Sequence, residues 1–378
     1  MHKLLTDTPG DNLFILGNEA IARGAIEAGV AFVTCYPGTP SSEIPLQFYQ
    51  LTRETNIYFE YSVNEKVALE VGAGAAATGL RTLVTMKHVG VNVAADPLMT
   101  LAYVGVEGGM VIVTADDPSL FSSQNEQDNR YYARLSGLPM LEPGNIQELK
   151  DLTARGFELS EHLKLPVLLR TTTRLNHMRG SVALGPMQPV VTKRRFQKDP
   201  FSKVTVPAVS RRLHQVLLTR QEQALGLAED WDLNQIIGRG PFGLVSNGMA
   251  FNYVLDAVND LDLKENTSLL KLTFSHPLPR ELCLRFLKQV EKVLVAEELE
   301  PVLEQELKAL AQENGLQLPI IGKGLAGLSR LFEYNPALVR QAVAEAAGLL
   351  SPAPEKVDVS DIPDLPQRPP TLCAGCPH

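Results

Sequence analysis

Leu13-Phe14-Ile15-Leu16, a helix-forming run from Glu19 to Ala28, and then Ala31-Phe32-Val33-Thr34-Cys35-Tyr36 read in succession as strand, helix, strand. Both strands are apolar at nearly every position instead of alternating, the pattern of a parallel sheet covered on both faces. Further strand-like runs occur at Thr82-Leu83-Val84-Thr85-Met86, Met110-Val111-Ile112-Val113-Thr114 and Pro166-Val167-Leu168-Leu169-Arg170, which define a first α/β unit over residues 1–185. A second alternation occupies 241–348. Its strands fall at Phe242–Ser246, Ser268–Phe274, Lys292–Ala296 and Ile320-Ile321, and its helices start at Ala250, follow Pro279 and span 299–314. The expected fold is α/β with two doubly wound domains, the second smaller than the first.

Residues 186–240 read as a basic linker or wrapping arm. Positions 170–220 hold eleven Lys or Arg and a single acid, Asp199, while Pro186, Pro189, Pro200 and Pro207 break regular structure. Two readings stay open for it: a solvated segment lying on an acidic neighbour, or a site for an anionic cosubstrate. Residues 349–378 read as a Pro-rich tether, with six prolines between 351 and 370 and no core of its own.

Composition excludes several function classes. With 378 residues, 44% hydrophobic and 21% charged, the chain has the make-up of an ordinary globular protein rather than a disordered one. A net charge of −8 argues against general nucleic-acid binding, which needs a basic face to release counterions. The N-terminus has no apolar signal region, and no run of about 18 apolar residues occurs, so a cytoplasmic protein without a membrane span is expected. Cys35 and Cys283 are isolated, and Cys373 and Cys376 are paired at the very end. That spacing makes no disulfide framework; reduced thiols or metal ligands fit better.

Three stretches carry candidate chemistry. Tyr36-Pro37-Gly38-Thr39-Pro40-Ser41-Ser42-Glu43 follows a strand and opens a helix, with Thr39 suited to the N-cap, Pro40 to the first helical position and Glu43 to the first turn. It lies at the carboxyl end of a parallel strand, where open α/β sheets bind ligands. The run from Ser62 to Gly79 reads as a helix whose later turns are almost all Gly and Ala, although an interior Gly costs about 1 kcal/mol relative to Ala. Either a neighbour packs against it very closely, across a subunit interface for example, or Glu65 at its start is a catalytic acid and not simply an answer to the helix dipole. Ser122-Ser123-Gln124-Asn125-Glu126-Gln127-Asp128-Asn129-Arg130 is polar throughout and falls at the same strand edge as Thr39 and Lys87-His88-Val89-Gly90, so hydrogen-bonding side chains can converge there. Phosphate-loop, zinc-protease and nucleophile-elbow patterns are absent. Cys373 and Cys376 could ligate iron–sulfur or zinc only with ligands from outside this chain.

Taken in order, Tyr36–Glu43, Val63-Asn64-Glu65-Lys66, Met86–Gly90, Ser122–Asp128 and Cys373-Ala374-Gly375-Cys376-Pro377-His378 resemble the α subunits of the indolepyruvate:ferredoxin oxidoreductases. That resemblance implies a thiamine-diphosphate pyrimidine-binding-type domain followed by a transketolase-C-terminal-like domain, with the chain stopping as a diphosphate-binding domain opens. It implies oxidative decarboxylation of aryl pyruvates to aryl-acetyl-CoA and CO2, with thiamine diphosphate, Mg2+ and [4Fe–4S] clusters as cofactors, the metals lying in missing regions. A β subunit, ferredoxin, the 2-oxoacid and CoA are the implied partners, and the Gly/Ala-rich helix suggests a homo-oligomer. The piece alone is expected to be inactive.

The same resemblance gives Glu65 the role of hydrogen-bonding the pyrimidine N1′, a proton position on which thiazolium activation depends. It adds Thr39, Pro37, Gly38, Gly90 and Asn92 to the cofactor side, and Thr39, Lys87, His88, Gln124, Asn125 and Arg130 to the substrate side. Where pyruvate-specific relatives carry an arginine for the substrate carboxylate, this chain has Asp116 or a neighbour, so that role must fall to Lys87, His88 or Arg130. Two alternatives remain: the same chemistry on another 2-oxoacid, and a non-catalytic binding or assembly subunit that keeps the fold.

Overall fold

Three sheets organise the chain in this computed structural model, which describes residues 2–349 apart from 194 and 326, together with residues 360 and 363. Cys373, Cys376 and, apart from 349, 360 and 363, the Pro-rich tether lie outside the described residues. The first part of the chain supplies β1 (Asn12–Leu16), β2 (Phe32–Cys35), β3 (Tyr58–Tyr61), β4 (Thr82–Lys87), β5 (Met110–Asp116), β6 (Met140–Leu141), β7 (Val167–Thr172) and β8 (Arg179–Ala183). The second part supplies β9 (Gln235–Gly238), β10 (Phe242–Asn247), β11 (Thr267–Leu272), β12 (Phe274–His276), β13 (Lys292–Ala296) and β14 (Ile320–Ile321).

A seven-stranded sheet runs in the order β12-β6-β7-β5-β4-β2-β3 and is parallel except for β12. Every residue of β5 and β7 is buried, which explains why these strands are mostly apolar or Thr, broken only by the paired Asp116 and Arg170: both faces are covered by helices. Because β2 sits between β3 and β4, the chain leaves β2 in one direction for β3 and then crosses back for β4. The topological switch point therefore lies at the carboxyl ends of β2 and β4, where such sheets open a ligand crevice.

The first strand departs from expectation. β1 is not part of the parallel sheet; it pairs antiparallel with β8, with Asn12 opposite Ala183. Only one of its five residues is buried, so this strand is an outer ribbon despite its apolar look. The segment expected to be one strand from Ser268 to Phe274 is also divided. β11 stays in the second sheet, whereas β12 crosses to the first, and Asn234 makes the break by accepting the backbone N–H groups of Thr273 (2.7 Å) and Phe274 (3.0 Å). Pro207 starts a helix, Pro207–Glu229, that buries Leu213, Leu217, Ala224 and Ala228. Lys203 just before it reaches Glu107 at 3.0 Å, an acidic neighbour for the basic segment.

The five-stranded sheet, β14-β13-β10-β11-β9, is parallel except for β9. Leu244 and Leu294 point to the helices Ala250–Asp260 and Pro336–Ala347, and Val245, Val293 and Val295 point to Arg280–Leu287 and Val302–Glu313. It is thus wound on both faces. No helix among the described residues is long and apolar enough to cross a membrane.

A seam of buried charge joins the two sheets. Arg130 is 3% exposed; it donates to Asp128, to Glu297 Oε2 (2.5 Å) and to the carbonyls of Glu298 (2.9 Å) and Glu300 (2.8 Å). Arg170 joins Asp116 (2.6 Å) to Glu142 (2.5 Å), and Asn247 of β10 donates to Glu142 at 2.8 Å.

Candidate functional site

The site is assembled at the switch point. Asn64 caps the helix Glu65–Ala77, its side chain accepting the Val67 N–H at 2.9 Å, and this fixes the first turn that carries Glu65. Glu65 is 8% exposed, and no ion pair holds its carboxylate among the described residues. Burial raises its pKa; its own backbone hydrogen bond and the charge of Lys87 oppose the rise. Gly90, just beyond the end of β4, lies against it: a Cβ there would stand 2.6 Å from both Cγ and Oε1 of Glu65. Only glycine leaves this carboxylate where it is.

Lys87 ends β4 and leads to the other wall. Its stem fills the space beside Gly38, where a Cβ would sit 2.8 Å from Lys87 Cδ. Its ammonium donates to the Ser122 carbonyl at 2.9 Å, and Ser122 Oγ donates to the Thr39 carbonyl at 3.2 Å. Burial lowers the Lys87 pKa, with Asp117 and Glu65 pulling the other way. The three sequence stretches thus meet around Lys87.

The polar loop is organised and not merely wet. Burial works against the Asp117 anion, yet hydrogen bonds from Thr173, Ser123 and the Ser122 N–H hold its carboxyl below the usual range. His88 is fully buried with Nε2 at 3.1 Å from the Asn125 carbonyl, while its Nδ1 is buried with no partner. Asn92 donates to Gln127 at 2.9 Å and accepts the Tyr132 hydroxyl at 2.6 Å. Pro37 and Gln124 stand exposed.

Two expectations need correction. Thr39 does not cap a helix: the helix is Glu43–Leu51 with Ser42 at its N-cap, and the Gly38 carbonyl accepts both the N–H and the hydroxyl of Ser41, making the intervening residues a turn. Arg130 is not free to meet a substrate, because its guanidinium is buried in the seam between the sheets. Asp116 belongs to the same buried network; burial pushes its carboxyl up to about 6 against the pull of Arg170.

Sequence reasoning missed His177 on the helix Thr173–His177, which directly follows β7. His177 Nε2 lies 3.5 Å from Glu43 Oε2, and Asn18 donates to the same oxygen at 2.6 Å. The hydrogen bond to Glu43 raises the His177 pKa, and the same contact lowers that of Glu43. The available signal was position: His177 follows a parallel strand at the same carboxyl edge as Thr39 and Lys87. Among the described residues no cluster of His, Cys, Asp and Glu could hold a metal ion.

Glu65 against Gly90, with the charge of Lys87 acting on it, thus stands at the carboxyl edge of the parallel sheet. The architecture is a thiamine-diphosphate pyrimidine-binding-type domain with a transketolase-C-like sheet. Residues 23–223 match the family model described as pyruvate flavodoxin/ferredoxin oxidoreductase, thiamine diphosphate-binding, and the chain belongs to this family. It is 48% identical, over its whole length, to the indolepyruvate oxidoreductase subunit IorA of Methanothermobacter thermautotrophicus, of which it covers 61%. The chain thus spans about three fifths of the length of that relative. The solved structure of a 2-oxoglutarate:ferredoxin oxidoreductase from Magnetococcus marinus matches with a TM-score of 0.70 at 14% identity, over 89% of this chain and 65% of that one. A split-gene transketolase matches with a TM-score of 0.58 at 15% identity, over 89% and 99%; both likenesses concern the fold.

Proposed function

We propose that this chain supplies the pyrimidine side of the active site in a thiamine-diphosphate-dependent 2-oxoacid:ferredoxin oxidoreductase, with aryl pyruvates as substrates. The reaction converts an aryl pyruvate and CoA into aryl-acetyl-CoA and CO2 and passes two electrons to ferredoxin. The observation that carries this reading is Glu65: a buried carboxylate with no ion-pair partner among the described residues, set against Gly90 at the switch point, in a chain 48% identical to an indolepyruvate oxidoreductase subunit. A non-catalytic assembly subunit has no use for such a group, since burying a carboxylate without an ion-pair partner costs stability.

Thiamine diphosphate, when bound, supplies the nucleophilic carbon for the 2-oxo group and the electron sink after CO2 leaves. Glu65 would hold a proton toward the pyrimidine nitrogen of the bound cofactor, a task that its raised pKa suits. Gly90 leaves room for that carboxylate, and Thr39, Pro37, Gly38 and Asn92 would border the cofactor. Lys87 meets the substrate carboxylate, and His88 with Asn125 fixes the loop around it. Mg2+, the diphosphate and [4Fe–4S] clusters are assigned to segments other than the described residues, with a β subunit as partner. A second copy of this chain packs on the outer face of the Glu65 helix, where Gly74 meets nothing within 4 Å.

The test is 2-oxoacid-dependent viologen reduction by the assembled oxidoreductase, assayed with indolepyruvate, phenylpyruvate and pyruvate. Preference for the aryl substrates and loss of most activity in Glu65→Gln are expected. Near-wild-type turnover by Glu65→Gln would remove the assignment, and a preference for pyruvate would move the substrate class.

A further inference from the structure

Thr39 also lines an open groove of about 530 Å³. Its other walls come from three further segments: Phe121 after β5, Arg174 with His177 and Met178 after β7, and Glu333 ahead of the helix Pro336–Ala347. Phe121 is 63% exposed, a large ring left uncovered beside a reaction centre. The loops are tied together and not loosely apposed. Glu126 Oε1 accepts the N–H groups of both Ser119 (2.6 Å) and Phe332 (2.9 Å), and the Glu333 N–H donates to Ser119 Oγ at 2.9 Å.

An arginine and a histidine line the groove, and each already faces a carboxylate. Arg174 is paired with Glu333, and His177 with Glu43. Local neutrality leaves nothing there to attract a second carboxylate, while Phe121 and Met178 offer apolar surface that gains by being covered. Lys87, which has no carboxylate within ion-pair distance among the described residues, stands on the other side of Ser122 for the acid group itself.

Resting on the 2-oxoacid reading above, we propose that this groove is the side-chain subsite. It takes a neutral aromatic side chain between Phe121 and Met178, and the matched pairs Arg174–Glu333 and His177–Glu43 exclude a dicarboxylic 2-oxoacid. The side chain of the substrate is thus selected partly by the second structural unit, through Glu333.

The test compares kcat/KM for indolepyruvate, 2-oxobutyrate and 2-oxoglutarate in the assembled oxidoreductase. Phe121→Ala and Met178→Ala should each lower the indolepyruvate to 2-oxobutyrate ratio by about tenfold or more, the scale of lost apolar contacts in a pocket. Glu333→Gln frees the Arg174 charge and should raise the 2-oxoglutarate to indolepyruvate ratio by about tenfold. Unchanged ratios in all three variants overturn the subsite. A wild-type complex that turns over none of the three acids overturns the earlier functional reading instead. In that case the groove is tested by calorimetry with indole-3-lactate: weaker binding to Phe121→Ala than to wild type supports it, and equal affinity overturns it.

Discussion

Glu65 and Gly90 are in such close apposition that a single methyl group at position 90 would stand 2.6 Å from the carboxylate's own Oε1. Gly90→Ala must therefore either displace the Glu65 side chain or shift the short helix His88–Val93. Overpacking of this kind typically costs about 1–3 kcal/mol. The expected outcome is a folded protein with a lowered melting temperature whose assembled complex has lost most activity. Full activity together with an unchanged melting curve would show that the two groups do not touch in solution.

Glu65 also makes a prediction about stability against pH. Its folded pKa is raised by burial above that of an ordinary glutamate, so the native state holds more proton than the unfolded chain between the unfolded and the folded pKa. Stability then falls as pH rises through that window, and the penalty is complete above the folded pKa. Glu65→Gln lacks this slope. Its melting temperature relative to wild type should increase from acid to neutral pH, measured by thermal unfolding at several pH values. A difference that stays flat with pH would contradict the raised pKa.

Arg130 bridges the sheets through Asp128 and Glu297. Removing it leaves buried carboxylates uncompensated, a change that commonly costs about 3–5 kcal/mol. Arg130→Ala should unfold at much lower denaturant concentration, and the two units should separate into two transitions. A single transition at the wild-type midpoint would mean the seam contributes little.

The glycines of the Glu65 helix fall into two kinds. Gly72 faces β4, where a Cβ would stand 2.6 Å from Val84 Cγ2, whereas Gly74 faces open space. In an isolated chain Gly74→Ala should stabilise the helix by about 1 kcal/mol. With a second copy on that face, Gly74→Leu should reduce the mass in solution, measured by analytical ultracentrifugation. An unchanged mass would place the subunit contact elsewhere.

Much of this architecture was legible because fully buried parallel strands are written as continuous apolar runs, as in β4, β5, β10 and β13. The edge strand β3 was not: Tyr-Phe-Glu-Tyr over 58–61 carries an acid and is mostly uncovered. β1 misled for the opposite reason, since an apolar run says nothing about its partner, here a strand some 170 residues away in sequence. In the site, Glu65 at a helix start was ambiguous from its residues alone, because a first-turn acid also satisfies the dipole. His177 gave no periodic signal, and only the segments that follow β2 and β7, reaching over β4 and β5, bring it to Glu43. Arg130 looked available because it ends a polar loop; the partners that bury it, Glu297 and Glu298, come from the other half of the chain.

β12 has a bearing on how the protein is made. The seven-stranded sheet takes its last strand from residues Phe274–His276, so a chain emerging from the ribosome cannot close that sheet until the core of the following unit is under synthesis. Until then the open side of β6 presents unpaired backbone groups, the kind of surface that recruits other chains. The first unit is in this sense not finished by its own sequence, and a gene divided between β8 and β12 would ask its two products to fold as one.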